Sequence, residues 1–184
     1  MFADNTLTPK EAVRLCALGT IALSDTPMRY SELAGAIRHF ISRITGPSLE
    51  IMGTSIELLR YEGLVSAVDG KGMEDDSQLV LTDAGRAEFR NLMTAKLRAS
   101  GSDVNKLITT LKLRFIHLLE PQDQCQQAEI LIETCETELA RLVDLRTHHG
   151  SDPGFLGEWL DHDIGQLEHH LEWLIAIGDK LCEE

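Results

Sequence analysis

The chain has 184 residues, 43% of them hydrophobic and 26% charged, which is enough to bury one good-sized core or a small domain with a helical extension. No apolar run approaches the roughly 20 residues that a membrane span needs, and the N-terminus lacks the charged-then-apolar order of a signal peptide. We therefore expect a soluble, cytoplasmic protein with no membrane partner.

The formal net charge of −13 at pH 7 is unevenly distributed. Residues 1–99 contain 11 Lys and Arg against 13 Asp and Glu, a net charge of −2, whereas residues 100–184 contain 6 against 17, a net charge of −11. The near-neutral part can carry the local basic patch that a nucleic-acid binder needs.

The four cysteines are scattered over helical patterns without a CxxC pair: Cys16, Cys125, Cys135 and Cys182. In a cytoplasmic protein this arrangement predicts reduced thiols that act as small hydrophobic side chains, rather than a disulfide framework or a zinc site.

The first predicted helix begins at a capping box. Thr8 and Glu11 stand at its two positions, with Pro9 at the first helical position, and the apolar segment that follows ends before Ser24. Ser31 is the next predicted N-cap, and the helix after it repeats apolar residues at helical spacing: Leu33, Ile37, Phe40 and Ile41.

A helix-turn-helix is predicted next, because Gly46 and Pro47 break the chain and Ser48 can cap a further helix. That helix ends at Gly63, and its expected inward residues are Ile51, Ile56, Leu58 and Leu59. Short strands around residues 64–68 and 78–81 flank a polar connection that is long enough to project as a two-stranded β-wing. The predicted fold class is mainly α, with an N-terminal winged helix-turn-helix.

A helix is predicted to begin at Thr82, its N-cap, and to run towards Leu97. Three further helices are predicted after it. The small, polar residues 99–103 give the expected domain boundary, with a DNA-binding domain at 1–99 and a helical dimerisation domain at 100–184. The three helices span 103–119, 121 to about 147, and 155 to about 182.

The last helix repeats apolar residues at alternating spacings of four and three, as in an antiparallel or coiled-coil-like pairing. It can pair with the helix from Pro121 as a hairpin, and Trp159, Trp173 and Ile177 suggest a further apolar surface for a homodimer. The alternative is that both tryptophans are intramolecular core. The residues predicted to serve dimerisation are Leu160, Ile164, Leu167, Leu171, Trp173, Leu174 and Leu181.

Four runs, in this order, resemble the PadR family of bacterial transcription regulators, including its AphA-like members: LLRYEGLV (58–65), LTDAGRAEF (81–89), FIHLLEPQDQ (115–124) and FLGEWLDHDIGQLEHHLEWL (155–174). The resemblance implies dimerisation through C-terminal helices and two winged helices on a pseudo-palindromic operator. It also implies a small effector in some members, for which Trp159 and Trp173 are candidates.

The predicted function is therefore a homodimeric, sequence-specific transcriptional regulator whose partner is double-stranded DNA, and we expect it to act as a repressor. The helix from Ser48 to Glu62 would enter the major groove. The predicted DNA-contacting residues are Arg38, Arg43, Ser48, Thr54, Ser55, Arg60 and Lys71.

Two alternatives remain open. The family's usual aromatic residue and one basic residue of the recognition helix are replaced by Gly53 and Glu57, which favours a winged-helix protein that binds another protein instead of DNA.

The second alternative is a metal site on the last helix. Acidic and histidine residues there, such as Glu158, His162 and His169, are spaced so that they could converge on a metal ion, but the HExxH order is absent. We expect no metal, no cofactor and no enzymatic activity.

Overall fold

The computed structural model describes residues 6–46, 52–68, 76–97 and 103–183. In these ranges the chain forms two compact units, the first with five helices and a small sheet and the second with two helices. The elements are α1 (Pro9–Ala22), β1 (Met28–Arg29), α2 (Tyr30–Thr45), α3 (Met52–Tyr61), β2 (Val65–Ala67), β3 (Gln78–Leu81), α4 (Asp83–Thr94), α5 (Asp103–Phe115), α6 (Pro121–His149) and α7 (Leu156–Cys182), with a 3₁₀ turn at Ile116–Leu118.

The predicted fold class is confirmed: the protein is mainly helical, with a small antiparallel sheet in winged-helix order. None of the described helices is both long and apolar enough to cross a membrane.

Helix α1 lies at the centre of the first unit. It begins as predicted, because the Thr8 hydroxyl accepts from the Glu11 amide, the Glu11 carboxylate accepts from the Thr8 amide, and Pro9 occupies the first turn. Every residue from Ala12 to Ile21 is buried except Arg14, and α2, α3, α4, α5 and β3 all pack against this helix. The largely apolar sequence of α1 is thus explained by burial on all sides.

The sheet has three strands rather than the two that the sequence predicted. Its order is β1-β3-β2, all antiparallel, with Met28 opposite Leu79 and Val65 opposite Leu81. A two-residue strand such as β1 is too short to show the alternating pattern from which strands are predicted. The helix after it also begins two residues early, with Arg29 rather than Ser31 at the N-cap position.

Helix α5 packs with the first unit, whereas the sequence prediction placed it after a boundary between residues 99 and 100. The Phe115 ring lies against Gly19, where a Cβ atom would come within 2.6 Å of the ring, and edge-on to Phe89 with the centroids 6.0 Å apart. The Arg114 guanidinium lies 4.5 Å from the centre of the Phe40 ring. These contacts join α5 to α1, α2 and α4, so the two units divide between Leu119 and Glu120.

Lys112 on α5 is completely buried. Its Nζ donates hydrogen bonds to the carbonyl oxygens of Met93 and Ala95, the latter at 2.7 Å, where α4 ends and its last carbonyls lack helical partners. Burial lowers the pKa of Lys112 to about 7. The lysine therefore caps α4 from the neighbouring helix.

The second unit is the predicted hairpin of α6 and α7. Gly178 packs so closely on α6 that a Cβ atom there would lie 3.2 Å from Ile132 Cδ1, and Arg146 makes a two-point ion pair with Asp161 at 2.6 and 3.0 Å. Leu160 and Leu174 are 0% and 3% exposed within the protomer. They are hairpin core, which corrects their assignment to the dimer interface; Ile164, Leu167, Leu171 and Leu181 are half-buried.

Two of the four cysteines form a disulfide, Cys125–Cys182, so the prediction that all four are reduced is wrong for this pair. The antiparallel hairpin brings the beginning of α6 to the last turn of α7, although the cysteines are 57 residues apart in sequence. Cys16 and Cys135 are free and buried, as predicted.

We predict that Lys112→Met changes the pH dependence of stability. Between pH 7 and 10.5 the unfolded chain holds a proton on Lys112 that the folded chain does not, so the wild-type free energy of unfolding gains up to about 1.4 kcal/mol per pH unit from this group. The variant lacks that gain, and it becomes less stable relative to the wild type as pH rises from 7 to 9. Urea unfolding at several pH values measures the difference. Lys106→Met, on the exposed side of the same helix, should show no such trend.

Candidate nucleic-acid interface

The C-terminal end of α3 is fixed by the first turn of α4. Gly63 takes a positive φ of 73° after α3, and the Thr82 hydroxyl donates to its carbonyl oxygen at 2.7 Å while accepting from the Gly85 amide at 3.0 Å. A Cβ atom at Gly85 would lie 2.0 Å from the Leu64 carbonyl oxygen, so only glycine permits this approach. The LTDAG run thus holds the C-terminal end of α3 in place.

Arg14 holds the same end of α3 from the other side. Its guanidinium lies 2.7 Å from Glu62 and 3.1 Å from Glu88, and so joins α1 to the residue after α3 and to α4. Arg14 and Glu88 are partly buried, which shields their ion pair from solvent more than a surface pair, whereas Glu62 is exposed. Together with Thr82, this arrangement gives α3 a fixed orientation.

The exposed face of α3 differs from the prediction at Leu58. Ile56 and Leu59 are buried as expected, but Leu58 is 49% exposed and Tyr61 is 90% exposed, with Glu57 also exposed. Neighbouring residues on a helix point 100° apart, and because α3 is buried on one side only, Leu59 faces the core while Leu58 lies towards solvent. The prediction for Ile51 lies outside the described residues. The second half of α3 therefore presents apolar and acidic groups to solvent.

The structure exposes two of the predicted DNA-contacting arginines. Arg38 and Arg43 are exposed on α2, whereas Arg60 is half-buried at the margin of α3. None of these three arginines makes an ion pair with another described residue. Ser48 and Lys71 lie outside the described residues, and Thr54 and Ser55 belong to α3 with side chains outside the described part.

The base of the wing is attached to the N-terminus of α2. One Asp76 carboxylate oxygen accepts from the Ser31 amide at 2.8 Å and the other from the Ser31 hydroxyl at 3.0 Å, while Arg29 lies 3.6 Å away. The hydrogen bond from the Ser31 amide is the main reason that the pKa of Asp76 lies below its usual value.

This attachment could not be found from the sequence, where Asp76 is the last of three consecutive acidic residues, Glu74, Asp75 and Asp76, in the polar connection between the strands. Asp76 and Ser31 are 45 residues apart, and neither stands in a recognisable motif. Asp76 has a φ of 52°, a conformation that Asp and Asn tolerate better than most residues. One of the three wing carboxylates is therefore a helix cap rather than a free charge.

The second unit exposes aromatic residues on α7. Trp159 and Trp173 are 51% and 46% exposed, and the His170 ring stacks on Trp173 with the centroids 5.4 Å apart. The two tryptophans are two heptads apart, which corresponds to about 21 Å along a helix, so one small effector could not contact both in a single protomer. No group of three or more His, Cys, Asp or Glu side chains in the described ranges could hold a metal ion.

Comparison with known proteins identifies a matching family. A family sequence model described as "Putative AphA-like transcriptional regulator" matches residues 2–178. A solved structure, the crystal structure of Bacillus subtilis PadR, is similar with a TM-score of 0.40 and 14% identity, over 97% of this chain and 99% of that chain. No curated protein matches the chain significantly.

We predict that Asp76→Asn lowers the melting temperature by about 2–4 °C at pH 7, because one charge-assisted cap of α2 is lost while the backbone conformation is kept. Since the folded pKa of Asp76 is depressed, the stabilisation is complete above its usual value of 3.8 and is lost as the pH falls through the lower folded value. The difference in melting temperature between the variant and the wild type should therefore become smaller below about pH 4. Thermal unfolding at pH 3–7 measures it, with Asp25→Asn, an exposed turn carboxylate, as the control. An equal loss in both variants would contradict the cap.

Proposed function

Because this chain belongs to the AphA-like family of transcriptional regulators, we propose that it binds duplex DNA as a homodimer on a pseudo-palindromic operator and represses transcription. Helix α3 would enter the major groove, with α2 and the wing against the neighbouring phosphates. The observation that carries the proposal is an exposed α3 held at a fixed angle by Thr82 and Arg14, beside exposed arginines of α2.

The proposed phosphate contacts are Arg38 and Arg43. Both are exposed on α2, so they can reach an anion without breaking an ion pair among the described residues. Arg60, at the margin of α3, together with Ser48, Thr54, Ser55 and Lys71, completes the proposed surface. The net charge of −2 in residues 1–99 implies few phosphate contacts and hence a modest dependence of affinity on salt.

The proposed dimer surface is the face of α7 that carries Trp159, His170, Trp173 and Ile177, which we name the tryptophan face. The adjoining face of α7, about 100° round the helix, is already buried against α6 at Leu160 and Leu174. Large aromatic residues that are half exposed on a rigid helix are typical anchors of protein interfaces. We propose that a second copy of the chain covers this face, and that any effector acts where the two copies meet.

One observation favours a second candidate function, the binding of another protein through α3. Leu58 and Tyr61 expose apolar surface beside Glu57, where a DNA-reading helix usually presents polar and basic groups. On this reading the winged helix keeps its fold but its partner is a protein. Measured affinity for DNA separates the two functions.

We predict that Arg38→Ala with Arg43→Ala weakens binding to a duplex of random sequence and lowers the salt slope. Each lost phosphate contact reduces the magnitude of the slope of log affinity against log salt by about 0.9. The slope of the double variant should therefore be smaller in magnitude by nearly 2. Fluorescence anisotropy of a labelled duplex between about 50 and 200 mM salt measures it. Arg141→Ala together with Arg146→Ala removes the same charge from the second unit and should leave the slope unchanged. Equal slopes in wild type and Arg38/Arg43 variant would refute these contacts.

We predict that Trp159→Ala with Trp173→Ala converts the dimer to a monomer over the micromolar range. Loss of an interface anchor typically costs about 2 kcal/mol or more, or about 30-fold in the dissociation constant for each. Sedimentation equilibrium measures the constant. Tyr61→Ala removes an aromatic side chain that is still more exposed, in the first unit, and should leave the dissociation constant unchanged. A fully dimeric tryptophan variant would place the interface elsewhere.

A further inference from the structure

The disulfide Cys125–Cys182 closes the open end of the α6–α7 hairpin. Cys125 lies in the first two turns of α6, and Cys182 is the last residue of α7. At the other end of the hairpin the chain itself connects the two helices. The bridge is therefore a second connection, placed where the helices would otherwise be free to separate.

Side-chain packing becomes sparse towards this end of α7. Gly178 is the last buried residue of the helix and contacts Ile132 and Ala128 of α6. After it, Leu181 is half-buried, and Asp179, Lys180 and Cys182 are exposed. Because little apolar surface is buried beyond Gly178, the disulfide is the main restraint on the last turn.

The two cysteines of the bridge lie beside an opening to solvent. Cys182 is exposed and Cys125 is half-buried, and both line an open cavity of about 500 Å³ whose other walls are Pro121, Gln122, Gln126, Glu129 and Leu181. An exposed disulfide sulfur can be attacked by a thiolate, whereas a buried one is shielded.

The other two cysteines are shielded from solvent, unlike the bridged pair. Cys16 and Cys135 are buried, and burial raises the pKa of Cys16 to about 11 and that of Cys135 above its usual value. They stay protonated and shielded while the protein is folded. Thiol chemistry in the native state is thus confined to Cys125 and Cys182 among the chain's four cysteines.

We propose that Cys125 and Cys182 form a reversible thiol–disulfide exchange site that responds to low-molecular-weight thiols and controls the stability of the dimer. A small thiolate attacks the exposed Cys182 sulfur, the bond to Cys125 breaks, and Cys125 leaves as a thiolate that takes up a proton. A second small thiolate attacks the mixed disulfide and releases Cys182 as a thiolate, which is protonated in turn. The sum is one protein disulfide and two small thiols converted to two protein thiols and one small disulfide.

The link to the dimer rests on the proposed function, because it assumes that the tryptophan face is the dimer surface. Ile177 and Trp173 lie five and nine residues before Cys182, at the same end of α7. When the bridge is reduced, the turn after Gly178 is free to fray, and the end of the tryptophan face loses its support. The oxidised protein is then the tighter dimer and, through it, the tighter DNA binder.

The first experiment counts thiols in the folded full-length chain. The protein is equilibrated with glutathione and its disulfide at a series of ratios, at about 5 mM total, and quenched with a maleimide that adds mass for each accessible thiol. We expect no modified cysteine under oxidising conditions and two under reducing conditions, at Cys125 and Cys182, with Cys16 and Cys135 reacting only in urea. A disulfide that glutathione opens only in urea would overturn the exchange site.

The second experiment measures the dimer dissociation constant at the two extremes of the glutathione series. We expect about a fivefold or greater weakening on reduction, with Cys182→Ala and Cys125→Ala each matching the reduced protein and responding to neither condition. An unchanged constant, with the bond shown to open, would overturn control of the dimer. A chain that is monomeric in every form would overturn the proposed dimer surface and its control together, while the thiol count would still decide the exchange site.

Discussion

The first unit depends on burying α1 from every side. Only small or apolar residues fit where five other elements converge, and at Gly19 the Phe115 ring comes so close that no side chain can be present. Because α5 covers one side of α1, it packs as part of the first unit, although the chain between α4 and α5 has the composition of a linker. The surfaces of α2 and α3 that face away from α1 are then the ones left for binding.

Long-range polar contacts determine how those surfaces are presented. Asp76 caps α2 from the base of the wing. Thr82 donates a hydrogen bond to Gly63, which follows α3, and Arg14 pairs with Glu62, the first residue after α3. Each is a hydrogen bond or ion pair between elements far apart in sequence. They hold the helix-turn-helix and the sheet as one body, which is what a DNA-reading helix requires, because base contacts depend on precise orientation.

The sequence predicted those features that short-range chemistry determines. The capping box at Thr8, the glycine stop at Gly63 and the alternating spacing on α7 each lie within a few residues, and each is present. Features that arise only when distant segments meet were missed: the Cys125–Cys182 disulfide, the Asp76 cap, and the place of α5 in the first unit. Leu58 was assigned to the core because apolar character alone does not decide which of two adjacent leucines faces inward.

The central claim, that a rigid winged helix presented as a dimer reads DNA sequence, is tested most directly by selection from a library of random duplexes at two salt concentrations. The account predicts enrichment of a pseudo-palindromic motif whose half-sites are about one helical turn apart, or a multiple of it, with affinity that falls as salt rises. Enrichment of no motif by a protein that is folded and dimeric in the same buffer would contradict it, and would leave the exposed Leu58 and Tyr61 as the surface of a protein-binding module.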